Sequence, residues 1–152
     1  MAAAVRAEQV LGAVRAVMAE ERQIDLLALP LPADLRYVAE FAAGALDGRT
    51  REPVAILGDV QAALATLDSI CDVPWLLLAD GEPEVWLTGL RLAAEHGACG
   101  FVAGASTWSD APAEDVTGWL AGDGLQRWRR AIALSAGGRS WQAPRRSGGD
   151  EA

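Results

Sequence analysis

The sequence contains no lysine; its 13 basic side chains are all arginine. Chemistry that needs a side-chain amine, imine formation above all, is therefore closed to it. Histidine occurs once (His96) and cysteine twice, at Cys71 and Cys99, without the paired spacing of a zinc site. Neither a metal centre built from protein ligands nor a Ser-His-Asp or Cys-His set is expected. Two unpaired thiols suit a reducing compartment. No apolar run approaches the roughly 18 residues of a membrane helix, and no secretory-signal pattern opens the sequence. A cytoplasmic protein without membrane contact is the expectation. Positive charge is outnumbered, 13 basic against 21 acidic residues for a net charge of -8. A nucleic-acid backbone would be repelled, so no nucleic-acid partner is expected.

What is present is apolar. Hydrophobic residues make up 51% of the 152, enough for one domain with its own core and too short a chain for two comfortable ones. Residues 3–20 place Val10, Leu11, Val14, Val17 and Met18 at helical spacing. Ile24-Asp25-Leu26-Leu27-Ala28-Leu29 is a short apolar run ended by Pro30 and Pro32, which cannot donate to a ladder. Asp34 is placed to cap a helix that turns Tyr37, Val38 and Phe41 inward and stops near Gly44 and Gly48. Pro53 suits the first turn of a helix carrying Val54, Leu57, Val60, Leu64 and Leu67. The second apolar run is Val73 to Ala79, followed by Asp80-Gly81. Pro83 starts a helix with Trp86, Leu87, Leu90 and Ala94 on one face, closed by Gly97. Cys99 to Gly104 is a third run, and helical patterns follow near 113–120 and 123–136.

Runs apolar at nearly every position predict strands covered on both faces, as in parallel sheets. Their alternation with helices predicts an α/β protein, with parallel strands near 24–29, 73–79 and 100–104 adjacent in that order. Residues 1–144 form one domain in this reading, and the polar stretch 145–152 a disordered tail. Three strands leave two apolar edges. A closed eight-stranded α/β barrel takes roughly 250 residues, so the chain is either a small open sandwich or a sheet that a partner completes.

Ligands of parallel α/β folds bind beyond the carboxyl ends of the strands. Those ends supply Asp34, Asp80, Glu82, Glu84, Ser106 and Thr107, with backbone N–H groups expected to be open around Gly81 and Gly104. Gly104-Ala105-Ser106 reads either as a small anion nest or as an ordinary strand-to-helix turn. Asp80 is an acid/base candidate or a turn aspartate. Ser106 and Thr107 read as capping hydroxyls, and His96 as the partner of a helix C-terminus. Gly97-Ala98-Cys99-Gly100 precedes a strand, so it is no dinucleotide loop. Trp75, Trp86, Trp119 and Trp128 fall on inward faces and read as core.

The segments, in unbroken order over residues 5–142, resemble the end of the tagatose-1,6-bisphosphate aldolases. Asp25-Leu26-Leu27-Ala28-Leu29-Pro30-Leu31-Pro32 with Leu35 to Phe41 is similar to their sixth strand and following helix. Val73-Pro74-Trp75-Leu76-Leu77-Leu78-Ala79-Asp80-Gly81 resembles the seventh strand, and Glu95 to Trp108 the eighth. Trp119-Leu120 through Gly124-Leu125 to Ser140-Trp141 resembles the terminal helices. The resemblance implies a partial TIM-type (β/α) barrel from a class I aldolase family that includes sulfofructose-phosphate aldolases. It implies retro-aldol cleavage of ketose phosphates through a lysine imine, with a phosphorylated sugar as ligand and no cofactor.

This sequence departs from that pattern where the chemistry is carried. Ala28 occupies the position of the imine-forming lysine. Ala105 occupies that of a phosphate-holding arginine, and Ala79-Asp80-Gly81 stands where the family has Ser-Ala-Gly. Gly81 and Gly104 remain as backbone phosphate donors, with Ala105 and Ser106 beside them, and Asp80 is the one acid/base candidate. Three readings follow. The chain is an inactive or repurposed aldolase part-barrel; or a non-catalytic interaction module, a homo-oligomer or the complement of a separately encoded N-terminal half-barrel; or an enzyme of different chemistry using Asp80 and Ser106.

Overall fold

The computed structural model describes residues 2–19 and 24–142, apart from the side chains of residues 2–5 and of Ser106. The polar tail expected at 145–152 lies outside these residues, as does the expected end of the first helix at Glu20. Helix α1 spans Ala2–Ala19 and strand β1 Leu27–Leu29. A single 3-10 turn, Leu35–Tyr37, precedes α2, Leu57–Ile70. Strand β2 is Trp75–Ala79, α3 is Pro83–Glu95 and β3 is Phe101–Ala103. After a 3-10 turn at Ala105–Trp108 come α4, Val116–Trp119, a π-helical turn, Leu120–Gly124, and α5, Leu125–Ser135.

The three strands form one parallel sheet in the order β1-β2-β3, as the apolar runs predict. Leu27 pairs with Trp75 and Leu29 with Leu77; Leu77 in turn pairs with Phe101 and Ala79 with Ala103. These residues share one face, and that face joins the core. Trp75, Leu77 and Ala79 are buried in a cluster with Val10 and Val14 of α1, Val60, Leu64 and Leu67 of α2, Leu87 and Leu90 of α3 and Ala131 of α5. Each fully buried Leu in this cluster contributes about 1.5–3 kcal/mol of transfer free energy.

The other face corrects the expectation of strands covered on both sides. Ala28, Leu78 and Val102 project from it and are exposed, and Leu76 is half-buried. None of the four belongs to the buried cluster. An apolar run records that a strand suits apolar surroundings on both faces; it does not say that the same chain supplies both.

Two helix expectations also change, for one reason. Val38 leaves the 3-10 turn in extended conformation and forms a parallel bridge with Ala55. Ala39 N–H donates to the Ala55 carbonyl and Val54 N–H to that of Tyr37, at 2.9 Å each. This pairing stops the helix expected after Asp34, leaving irregular turns to Gly48 and Tyr37 exposed. It also holds residues 53–55 extended, so α2 starts four residues after Pro53. Ile56 has no side-chain oxygen to cap that helix. Asp59 accepts from the Ile56 N–H at 3.2 Å and Glu40 from the Leu57 N–H at 2.9 Å, satisfying donors that a helix start leaves open.

Most of the tryptophans pack in the protein. Phe101 of β3 lies 6.0 Å from Trp86 and 5.0 Å from Trp128, ring centre to ring centre. Trp108 continues the series to Trp128 at 5.9 Å and Trp119 at 6.0 Å. Trp75 and Trp86 are buried and Trp119 and Trp128 half-buried, whereas Trp141 is exposed. The π-helical turn lets Trp119 lie directly on Gly124, where any β-carbon would collide with the indole.

Candidate functional site

The sheet ends carry the candidate residues. Beyond β1 and β2 the chain encloses a cleft of about 170 Å3, lined by Arg6, Pro30, Leu31, Asp34, Arg36, Leu77, Leu78, Asp80, Gly81, Glu82, Val85 and Trp86, among others. Its walls are the loop after β1, the first turn of α3 and the start of α1. Asp34 caps the 3-10 turn by accepting the Arg36 N–H at 3.1 Å. It also takes the Arg36 guanidinium in a two-bond clasp, at 2.9 and 2.8 Å. The hydrogen bonds from Arg36 hold the Asp34 carboxyl below the usual carboxylate range, against the opposing effect of burial. Glu82 lies 4.0 Å from the same guanidinium and forms the N-cap position of α3.

The cleft thus brings together Asp34, Asp80, Gly81 and Glu82 of the expected residues and adds Arg6 and Arg36. Its charges are three carboxylates against two guanidiniums, and Arg36 is already committed to Asp34. A dianionic phosphate meets a wall that is net negative. Arg36 two residues after Asp34 was a readable signal, since an i, i+2 pair can close on a capping aspartate. Arg6 was not readable, because its place in the cleft depends on how α1 packs.

Beyond β3 the candidates form a separate group. The Gly104 N–H donates to the Ala79 carbonyl at 3.3 Å, extending the β2–β3 ladder. The Gly81 N–H donates to the Asp80 carboxylate at 3.0 Å, in a turn whose φ of 85° only glycine adopts freely. Both backbone donors expected to be open are therefore engaged within the chain. Ala105 is exposed in the 3-10 turn, and the side chain of Ser106 lies outside the described residues. Thr107 is buried, with its hydroxyl donating to the Gly104 carbonyl at 2.6 Å. Arg127 closes this turn by donating to the Thr107 carbonyl and clasping Asp110 while lying 5.0 Å over the Trp119 ring.

The remaining candidates have structural posts. Glu84 pairs with Arg130, joining α3 to α5. His96 Nδ1–H donates to the Leu92 carbonyl at 2.8 Å at the end of α3, the helix-end role expected of it. Cys71 is buried and Cys99 half-buried, both as free thiols, and burial pushes the Cys71 thiol up. Among the described residues, no group of three or more His, Cys, Asp and Glu side chains is arranged to hold a metal ion. No described helix is long and apolar enough to cross a membrane.

Ala28 sits at the middle of β1, on the bare face, opposite Leu76. What it offers there is a methyl group and no reactive atom. No protein-family model matches this chain, and no curated protein matches it in sequence.

Proposed function

We propose that this chain is a part-barrel of the class I sugar-phosphate aldolase type, a fold descended from carbon–carbon lyases of ketose phosphates, which has lost imine chemistry and serves as a non-catalytic subunit. The observation that carries the reading is the one-sided construction of the sheet. Three parallel strands in chain order bury one face under helices and leave the other apolar face bare, which is how a segment of a (β/α)8 barrel is built. Ala28 lies on that would-be interior face, and Asp80, Gly81, Gly104 and Ala105 lie at the strand ends where such barrels bind ligand.

The same residues do not supply the aldolase chemistry. A methyl at Ala28 forms no imine. Asp80 and Glu82 oppose a phosphate, and Arg127, which closes the turn that holds Ala105, is engaged by Asp110 and the Thr107 carbonyl. The reading requires no cofactor.

The test is the double variant Ala105→Arg with Asp80→Ala, titrated with inorganic phosphate and followed by amide NMR. Charge complementarity demands less geometric precision than imine chemistry, so phosphate binding returns first. Shifts centred on the Gly81 amide, whose contact with the Asp80 carboxylate the variant removes, and on the substituted position 105, absent in the unmodified chain, are expected. Shifts confined to other parts of the protein, or none, would remove the reading.

A further inference from the structure

We propose that the cleft beyond β1 and β2 is a binding site for a small organic cation, a primary ammonium on a short apolar stem. The inference stands on the shape and charge of the cleft and does not depend on the aldolase reading. The lining has two parts. Leu31 of the loop after β1, Leu77 of β2 and Val85 and Trp86 of α3 give it apolar wall. Asp80 and Glu82, on either side of Gly81, bring carboxylates to the same cleft from the loop that joins β2 to α3.

Charge selects the sign of the ligand. Asp34 and Arg36 clasp one another through two hydrogen bonds, at 2.9 and 2.8 Å, and cancel as a pair. Glu82 is 4.0 Å from that guanidinium, beyond hydrogen-bond reach. Arg6 is then set against Asp80 and Glu82, which leaves the wall one carboxylate in excess. The chain's net charge of -8 adds a field of the same sign, and such a field concentrates cations. A metal ion is a poor match, because no group of three or more His, Cys, Asp and Glu side chains among the described residues is arranged to hold one. An ammonium asks for less. It donates up to three hydrogen bonds, and a carboxylate such as that of Asp80, which accepts the Gly81 N–H at 3.0 Å, has further acceptor sites.

Size sets the length of the stem. Liquid water takes ~30 Å3 per molecule, so a cleft of about 170 Å3 holds roughly six non-hydrogen atoms. A butylammonium ion fills that space, with its stem on Leu31, Leu77, Val85 and Trp86 and its charge at Asp80 and Glu82.

Amide NMR on the full chain at constant ionic strength, with n-butylammonium, ammonium and n-butyrate titrated separately, tests this. Saturable shifts centred on Gly81, Glu82 and Val85 are expected with n-butylammonium. Ammonium, which has no stem, is expected to bind several-fold more weakly, and n-butyrate to leave these amides unmoved. Glu82→Gln is expected to weaken n-butylammonium binding roughly threefold or more, the worth of a partly exposed ion pair. The Glu82 side chain makes no cap hydrogen bond to α3, so the variant keeps the helix start. Glu114→Gln removes an equal charge from an exposed residue outside the cleft and leaves binding unchanged. The proposal is overturned by an absence of saturable shifts at the cleft, by n-butyrate moving the same amides, or by equal affinity for ammonium and n-butylammonium. Full affinity in Glu82→Gln, or an equal loss in Glu114→Gln, overturns it as well. The phosphate titration uses another ligand and another variant, so the two readings fail separately.

Discussion

Consider Ala28→Lys in a chain that has no other lysine. The substitution supplies the one side-chain amine in the protein, in the middle of β1 on the exposed face. An exposed lysine keeps a pKa near 10.4, so about 0.04% of it is free base at pH 7. An imine-forming lysine is brought towards pH 7 by burial or a neighbouring cation, which raises the nucleophilic fraction roughly a thousandfold. Neither cause operates at Ala28. The face is open, its neighbours Leu76 and Leu26 are apolar, and the charge at the sheet end, Asp80, is a carboxylate that would raise the amine pKa. The amine is therefore expected to react like any surface lysine. The assay is borohydride trapping with dihydroxyacetone phosphate followed by mass spectrometry, with Ile132→Lys on α5 as the reference. Equal trapping rates are expected for the two variants. The unmodified chain is expected to carry label only at its N-terminal amine, as peptide mapping would show, and to cleave no ketose bisphosphate. Trapping by Ala28→Lys more than about tenfold faster than the reference, equivalent to more than one unit of pKa lowering, would refute the reasoning.

Gly97→Ala is expected to destabilise the fold by about 2 kcal/mol or more, because φ is 99° there and the new methyl would collide with the Asp68 carboxylate. Gly12→Ala, with nothing within 4 Å in the middle of α1, is expected to stabilise by about 0.5–1 kcal/mol; urea unfolding of both variants measures the contrast. Leu64→Ala, at a fully buried site of α2 in the core, is expected to lower stability by about 2–5 kcal/mol in the same assay. Acid is expected to weaken the fold in a defined window. Hydrogen bonds from Arg36, Arg51, Arg130 and Arg127 hold Asp34, Asp47, Glu84 and Asp110 below their ordinary values, with Asp47 pulled down to about 2. A depressed carboxyl stabilises the fold above its unfolded-state pKa and stops doing so as pH falls through the folded value. Melting temperatures should therefore hold from pH 7 to about 5 and drop between about pH 4 and 2. Asp47→Asn should lower the melting temperature at neutral pH and leave it nearly unchanged at pH 2; equal losses at both would exclude the Arg51 pairing as the cause.

The sequence by itself determined the periodic parts of this protein. Three apolar runs placed three parallel strands in the right order, and Pro83 with the Trp86, Leu87 and Leu90 stripe placed α3 correctly, because both signals are local and repeat at the period of their element. The absence of lysine by itself excluded imine formation on a side chain. The cap at Asp34 was also local, although the long helix expected after it was not there. Only tertiary structure decided the rest. The Val38–Ala55 bridge joins residues far apart in sequence, and it replaced the start of one predicted helix and the body of another with extended chain. The commitment of the Gly81 and Gly104 donors depended on a neighbouring turn and strand, and the place of Arg6 in the cleft on the packing of α1. The bare face of the sheet was beyond the sequence for a physical reason. Apolar alternation records what surroundings a side chain favours, whereas which molecule provides them is settled by where the helices pack, and here α1, α2, α3 and α5 contribute to one side.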